Sequence, residues 1–349
     1  MEHLSIQVQT AYAELLEQLV GIEAQRAIGH SSGTFVVKTL KGQEYYYYQH
    51  ALPGRIVQSY VGRRSHTLDR VVERFKEGRE LVTSERQRTT RLCALLRSGG
   101  AMTIDAPSTR VIEALADAAV FRLGGILVGT HAFIALGNLL GVRWAGAGVR
   151  TEDIDIAGER HLAIAVPPLT ANVPKVLDSL EMGFFPVPGL SPRQPSTSFK
   201  VRGRALRVDV LTPQTGSRTG PVPIARFHTA AQPLPYLDYL IEAPQPAALV
   251  AGSGILVNVP SPARFALHKL VVSRARAATQ QAKSGKDLDQ AAQLIENLAE
   301  DRPGDLTLAW EALAKRTSFS KAAHAGLVAL KRRHPEAHAA VQAELARPL

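Results

Sequence analysis

The chain has 349 residues, 45% of them hydrophobic and 21% charged. That is a globular balance, which excludes a disordered polypeptide, and the length fits two or three domains. A formal net charge of +10 favours polyanionic partners, and a single cysteine, Cys93, excludes a disulfide-stapled secreted scaffold.

Residues 4–28 repeat apolar side chains at helical spacing (Val8, Tyr12, Leu15, Leu16, Leu19), which predicts a helix. Strands are predicted at 33–38 and 44–49, split by the turn signal Lys41-Gly42, and at 55–61 after Pro53-Gly54. Together they make a small antiparallel meander. From Leu68 to Leu96 a charged helix is predicted, with Gly78 as a candidate break and Ser98-Gly99-Gly100 as its stop. Residues 1–100 are therefore read as an N-terminal helical and β-meander module. The N-terminus shows no basic stretch followed by an apolar one, so a reducing, cytoplasmic setting is expected.

Between Arg55 and Arg97 stand 11 Lys/Arg against 5 Asp/Glu. Arg63, Arg64, Arg70 and Arg74, with the four tyrosines Tyr45 to Tyr48, are the candidate nucleic-acid surface, since phosphates attract cations and unstacked bases attract aromatic faces. A solvated helix face beside a half-buried strand is the plainer account of the same residues.

Val111 to Ala119 predicts a helix, Gly125 to Val128 a buried strand and His131 to Leu140 a second helix. The 20 uncharged residues between Arg122 and Arg143 match a membrane span in length. Five glycines with Thr130, His131 and Asn138 interrupt them, so strand, turn and helix are preferred and no membrane partner is expected. Sixteen of the 21 prolines fall between Pro167 and Pro262, which excludes long helices there. Helical periodicity returns after Ser261-Pro262, an N-cap followed by proline at the first helical position. Residues 101–260 are read as a core of short strands and helices, and 261–349 as a helical C-terminal domain.

Three short patterns carry chemistry. Gly129-Thr130 lies at the turn from a strand into a helix, where backbone amides and a hydroxyl can hold a phosphate; an ordinary N-cap is the alternative. In Thr151-Glu152-Asp153-Ile154-Asp155-Ile156-Ala157 the two aspartates point to one side of a strand. A divalent cation would relieve their repulsion, and on spacing alone an exposed edge strand explains them equally well. Asp209 then lies within the strand Ala205 to Leu211, among Val208, Val210 and Leu211, where a carboxylate is costly unless paired or metal-bound. Three carboxylates on neighbouring strands would let two metals act on a phosphoryl transfer. His131 and His268 lack partners for a zinc site, and Ser284-Gly285-Lys286 lacks the strand and glycine that a P-loop needs.

Gly129-Thr130, Asp153-Ile154-Asp155 and Asp209 together resemble the DNA polymerase β-like nucleotidyltransferase superfamily. More narrowly, Leu127 to Phe133, Glu152 to Asp155 and Arg207 to Pro213 resemble a bacterial nucleotidyltransferase-like domain family similar to the toxins of type IV toxin–antitoxin systems. The resemblance covers Val111 to Leu298. It implies an α/β (α+β) fold, a nucleotidyltransferase core whose short mixed sheet carries the aspartates.

It further implies that Gly129 and Thr130 hold the NTP phosphates, that Asp153, Asp155 and Asp209 ligate Mg²⁺ (or Mn²⁺), and that Asp209 acts on the attacking hydroxyl. Lys269 and Asp287 match a lysine and an aspartate on successive helices of the toxin-like relatives and are assigned to NTP binding. A lysine snorkelling from an amphipathic helix is the competing account of Lys269. Two departures stand out: threonine replaces the commoner serine, and 23 positions separate Thr130 from Asp153, so residues 141–148 are expected to loop out. The expected activity is transfer of an NMP from an NTP to an acceptor hydroxyl with release of pyrophosphate. RNA, tRNA included, is the favoured acceptor, in a toxin with a cognate antitoxin protein as partner. The alternatives are a protein or small-molecule acceptor, or a non-catalytic nucleic-acid-binding protein on a transferase-like core.

Overall fold

The computed structural model describes residues 1–27, 33–40, 42–52, 55–146, 149, 151–159, 171–189, 194–276 and 281–346. The N-terminal part runs β1 (Glu2–His3), α1 (Ile6–Ala27), β2 (Gly33–Leu40), β3 (Gln43–Leu52), β4 (Arg55–Arg63) and α2 (His66–Ser98). Strands β2, β3 and β4 form the expected antiparallel meander. Lys41 and the Pro53-Gly54 turn lie outside the described residues. Helix α2 is capped by Ser65, whose hydroxyl accepts from the Leu68 amide, and passes through Gly78 unbroken. A glycine there costs only about 1 kcal/mol relative to alanine, too little to stop a helix of this length.

The tyrosine run splits by strand alternation. Tyr46 is buried and its hydroxyl donates to Asp69 of α2 at 2.5 Å, while Tyr45 and Tyr47 face the other way. Val8, Tyr12, Leu15 and Leu19 of α1 meet Cys93 and Leu96 of α2 in a hydrophobic cluster that also takes in Ala248 and Val250 from the core. The Tyr12 hydroxyl bonds both backbone groups of Ala248, accepting from its amide at 3.0 Å and donating to its carbonyl at 3.2 Å. The helices of the first hundred residues are thus packed onto the core rather than held apart from it. Cys93 is fully buried, and burial pushes its thiol up to about 11.

From there the chain forms α3 (Ala106–Asp117), β5 (Ile126–Val128), α4 (Gly129–Leu139), β6 (Val142–Arg143), β7 (Asp153–Ala157), α5 (Val173–Ser179), β8 (Phe184–Pro186), β9 (Ser198–Val201) and β10 (Arg207–Pro213). Next come β11 (Val222–Ile224), β12 (Thr229–Leu234), α6 (Leu237–Ile241) and the hairpin β13 (Pro244–Leu249) and β14 (Ile255–Pro260). Five helices end it: α7 (Pro262–Ala275), α8 (Gln281–Asp301), α9 (Asp305–Ala314), α10 (Thr317–Arg333) and α11 (Pro335–Leu345). Helix α3 starts five residues earlier than the apolar pattern suggests, because Asp105 caps it by accepting from the Ser108 amide at 2.9 Å. Pro262 opens α7, but the Ser261 side chain makes no capping bond.

The central sheet is mixed, in the order β11-β12-β10-β7-β5, with β9 beside the first half of β10 and β8 outside β9. Strand β10 runs parallel to β7 and β12, and β5 runs antiparallel to β7. One hydrophobic core extends from Val111 to Val341, so the strands of 101–260 and the helices of 261–349 share it. Of the residues expected to loop out after α4, Val142–Arg143 form β6, which pairs with β1, and buried Trp144 stacks on Phe133 with ring centroids 4.7 Å apart. Residues 147–148 of that segment lie outside the described residues. Among the described residues, no helix is long and apolar enough to cross a membrane.

Candidate active site

The site grows from one strand's alternation. Ile154 and Ile156 are buried on one face of β7, which turns Asp153 and Asp155 to the other. Parallel pairing sets Asp153 opposite Arg207 and Asp155 opposite Asp209, while Val128 at the end of β5 pairs with Asp155 from the other side. The three sequence-predicted aspartates therefore share one sheet face. Asp155, in the middle strand, carries the electrostatic load. Burial, then repulsion from Asp209 and Asp153, pushes its carboxyl up to about 7 despite the favourable charges of Lys269 and Arg207.

Gly129 explains itself through geometry. Its φ is +68°, and a Cβ there would fall 2.3 Å from Asp155 Oδ2. Only a residue without a side chain lets the β5–α4 turn pass this close to the carboxylate. Thr130 and His131 come next, both buried. The His131 Nδ1 lies 3.1 Å from the Asp153 carbonyl oxygen, and burial holds the imidazole below its ordinary pKa. That ring ties α4 to β7.

Lys269 on α7 and Asp287 on α8 meet, as their assignment to one site requires, but as partners. Lys269 Nζ donates to Asp287 Oδ1 at 2.8 Å, and Arg276 Nε donates to Asp287 Oδ2 at 2.5 Å. Burial drives the Asp287 carboxyl up, but Lys269 and Arg276 outweigh it and hold the group below the usual carboxylate range. Two cations on one buried carboxylate leave a net positive charge on this wall. It faces a cleft of about 1420 Å³ lined also by Gly129, Thr130 and all three aspartates. Pockets for one small ligand hold roughly 300–1,000 Å³, so the cleft has room for a nucleotide and part of a second reactant.

Sequence reasoning missed two cations. Arg207 Nε donates to Asp209 Oδ1 at 2.8 Å and to the Ser198 hydroxyl at 2.7 Å, bridging β10 to β9. An arginine two positions before an aspartate on a strand shares its face, so period-two alternation carried this signal. Arg276 had none: its partner is supplied by a different helix.

The candidate nucleic-acid arginines differ in their surroundings. Arg63 and Arg70 are exposed, whereas Arg64 is engaged by Glu44 at 2.9 Å and Asp69 at 3.0 Å. The Arg74 side chain lies outside the described residues.

The donor chemistry suits a hard divalent cation, since carboxylate oxygens stand on one face and repel each other. Among the described residues, however, no group of three His, Cys, Asp or Glu side chains is preassembled to hold one, and Asp209 is occupied by Arg207. A protein-family model described as "Nucleotidyltransferase" matches residues 106–315, more than half of the chain, a span that includes Asp153, Asp155, Asp209 and Asp287. Comparison with curated proteins and with solved structures gives no match.

Proposed function

The chain belongs to the nucleotidyltransferase family and is a transferase enzyme, and on that premise we propose which groups move the nucleoside monophosphate and onto what. The observation that carries the proposal is the cross-strand row Val128–Asp155–Asp209, which sets the glycine turn that follows Val128 and two carboxylates side by side on the cleft. Gly129 lets the backbone approach a phosphate closely, and the Thr130 hydroxyl with the first amides of α4 bonds it. Lys269 attracts the triphosphate as a point charge, and Asp287 with Arg276 positions it. Asp209 accepts the proton of the acceptor hydroxyl once Arg207 has moved from it to a phosphate oxygen.

Asp153 and Asp155, joined by Asp209, would hold Mg²⁺ (or Mn²⁺), which when bound neutralises triphosphate and carboxylate charge together. Assignment to the polymerase β-like superfamily belongs to the same proposal and is supported by the order of turn, paired aspartates and third aspartate. The formal charge of +10 and the resemblance of the three motifs to type IV toxins favour RNA, tRNA included, as acceptor. They extend the reading to a toxin held in check by a cognate antitoxin protein.

The test is incubation of the full chain with each α-labelled NTP, Mg²⁺ and total bacterial RNA, followed by a denaturing gel. Label in RNA, lost in Asp153→Asn and Asp155→Asn, is expected. Label in a protein band or a small product instead removes the RNA clause. Transfer that persists unchanged in both variants removes the site.

A further inference from the structure

The meander of β2, β3 and β4 has one face turned to α2 and one turned away from it. Residues directly opposite in antiparallel pairs share a face. Two cross-strand rows therefore lie on the outward side: Lys38–Tyr45–Arg63 and Val36–Tyr47–Tyr60. Their rings form a contiguous patch, with Tyr60 centred 6.1 Å from Tyr45 and 5.6 Å from Tyr47, and Lys38 Nζ 4.9 Å above the Tyr47 ring. Tyr60 is 60% exposed. Neither row contains a carboxylate. The acidic residue of β3, Glu44, falls on the opposite side and is taken up by Arg64.

From this juxtaposition we propose that the outward face of the meander is a platform for single-stranded RNA. It deepens the RNA-acceptor reading and rests on it for its purpose. Bases stack on Tyr60, Tyr47 and Tyr45, and phosphates pair with Lys38 and Arg63 at the margin. Charge decides the occupant. A second copy of this face would bring Lys38 and Arg63 against like charges, whereas a polyanion with exposed π faces satisfies both components. The run of four tyrosines is thus divided: Tyr46 holds the sheet to α2 through Asp69, and its two odd-numbered neighbours are left to stack.

Anisotropy of a fluorescein-labelled, uridine-rich 12-nucleotide RNA titrated with the full chain at low salt tests this. Tyr60→Leu, which keeps apolar bulk but removes the π face, is expected to weaken binding about fivefold or more, and Tyr60→Phe to preserve it. Lys38→Gln with Arg63→Gln is expected to flatten the salt dependence by about 0.7 per lost contact. The same RNA annealed into a duplex is expected to bind far more weakly. Unchanged affinity in a Tyr47→Leu, Tyr60→Leu double variant whose thermal melt matches the parent overturns the proposal. So does a dimer, seen by sedimentation, that Tyr60→Leu dissociates while RNA binding is absent. Nucleotide labelling measured on the same preparations keeps the two readings apart. RNA binding without transfer strikes the proposed function alone, and transfer without Tyr60-dependent binding strikes the platform alone.

Discussion

Replacing Asp155 with asparagine separates an electrostatic role from a packing role, because the two predict opposite signs. The Asp155 carboxyl is pushed from 3.8 to about 7 by burial and by Asp209 and Asp153. Between those values the folded chain keeps a proton that the unfolded chain has released. The slope of unfolding free energy against pH is therefore negative there, so stability falls as pH rises from about 4 to about 7 and levels off above. At 1.36 kcal/mol per pKa unit the ionised group costs the metal-free fold on the order of 4 kcal/mol at pH 8, a ceiling that local rehydration lowers. Asparagine is nearly isosteric with the protonated acid and cannot ionise. In urea melts with a chelator present, Asp155→Asn is expected to match the parent near pH 4 and to exceed its stability by a growing margin up to pH 8. Mg²⁺ or Mn²⁺ is expected to raise the parent at pH 8 and leave the variant unmoved. An asparagine variant less stable than the parent at pH 8, or a difference that does not change with pH, refutes the repulsive cluster.

Gly129→Ala combines a left-handed backbone with a Cβ 2.3 Å from Asp155 Oδ2. It is expected to cost more than the roughly 1 kcal/mol of the φ penalty alone and to abolish nucleotide labelling, and a silent variant in melts and labelling removes the close-approach argument. Asp287→Ala leaves Lys269 and Arg276 facing each other on a largely buried wall and is expected to lower stability by about 3–5 kcal/mol in denaturant melts. Lys269→Ala leaves Asp287 bonded to Arg276, so it is expected to cost less in melts but to weaken NTP binding in equilibrium dialysis; a stability loss with NTP affinity untouched makes the lysine structural. Arg207→Gln removes the cation bonded to Asp209 and is expected to tighten Mn²⁺ binding, read by electron spin resonance without nucleotide; weaker binding places Arg207 with the metal rather than against it.

The elements legible in the sequence are those whose pattern is local. The alternation Asp153-Ile154-Asp155-Ile156 is a complete instruction: two β-branched residues to the core, two carboxylates to the opposite face. The meander is legible for the same reason, since Gly42 and its flanking β-branched and aromatic runs specify a hairpin without help from elsewhere. Where a distant partner supplies the stabilisation, the local pattern misleads. Gly78 misleads for another reason: it reads as a break but costs too little to interrupt a 33-residue helix. Residues 1–100 read as separable because their texture differs from that of the proline-rich core. Yet Leu15, Leu19 and Cys93 share a cluster with Ala248 and Val250, more than 150 positions away. Deleting them would uncover that apolar surface, so point variants test the N-terminal part more cleanly than truncation.

The same distinction divides the candidate site. Its acids are visible because each violates its surroundings: Asp209 interrupts an apolar strand, and Asp155 lies one residue from a fully buried isoleucine. A costly residue in a cheap context announces a role. The cations are not visible in this way, because an arginine at a helix end or a strand margin costs nothing locally. Only the fold brings Arg276 to Asp287 and Arg207 to the sheet face of Asp209. Their roles are set by the charge they meet. Arg276 turns a single Lys269–Asp287 pair, which alone would present no net charge to the cleft, into a wall of net positive charge. Arg207 compensates Asp209, which lowers the cost of keeping three carboxylates together. On the proposed reading a triphosphate would offer Arg207 a second partner, which would couple nucleotide binding to the freeing of Asp209 through one side chain.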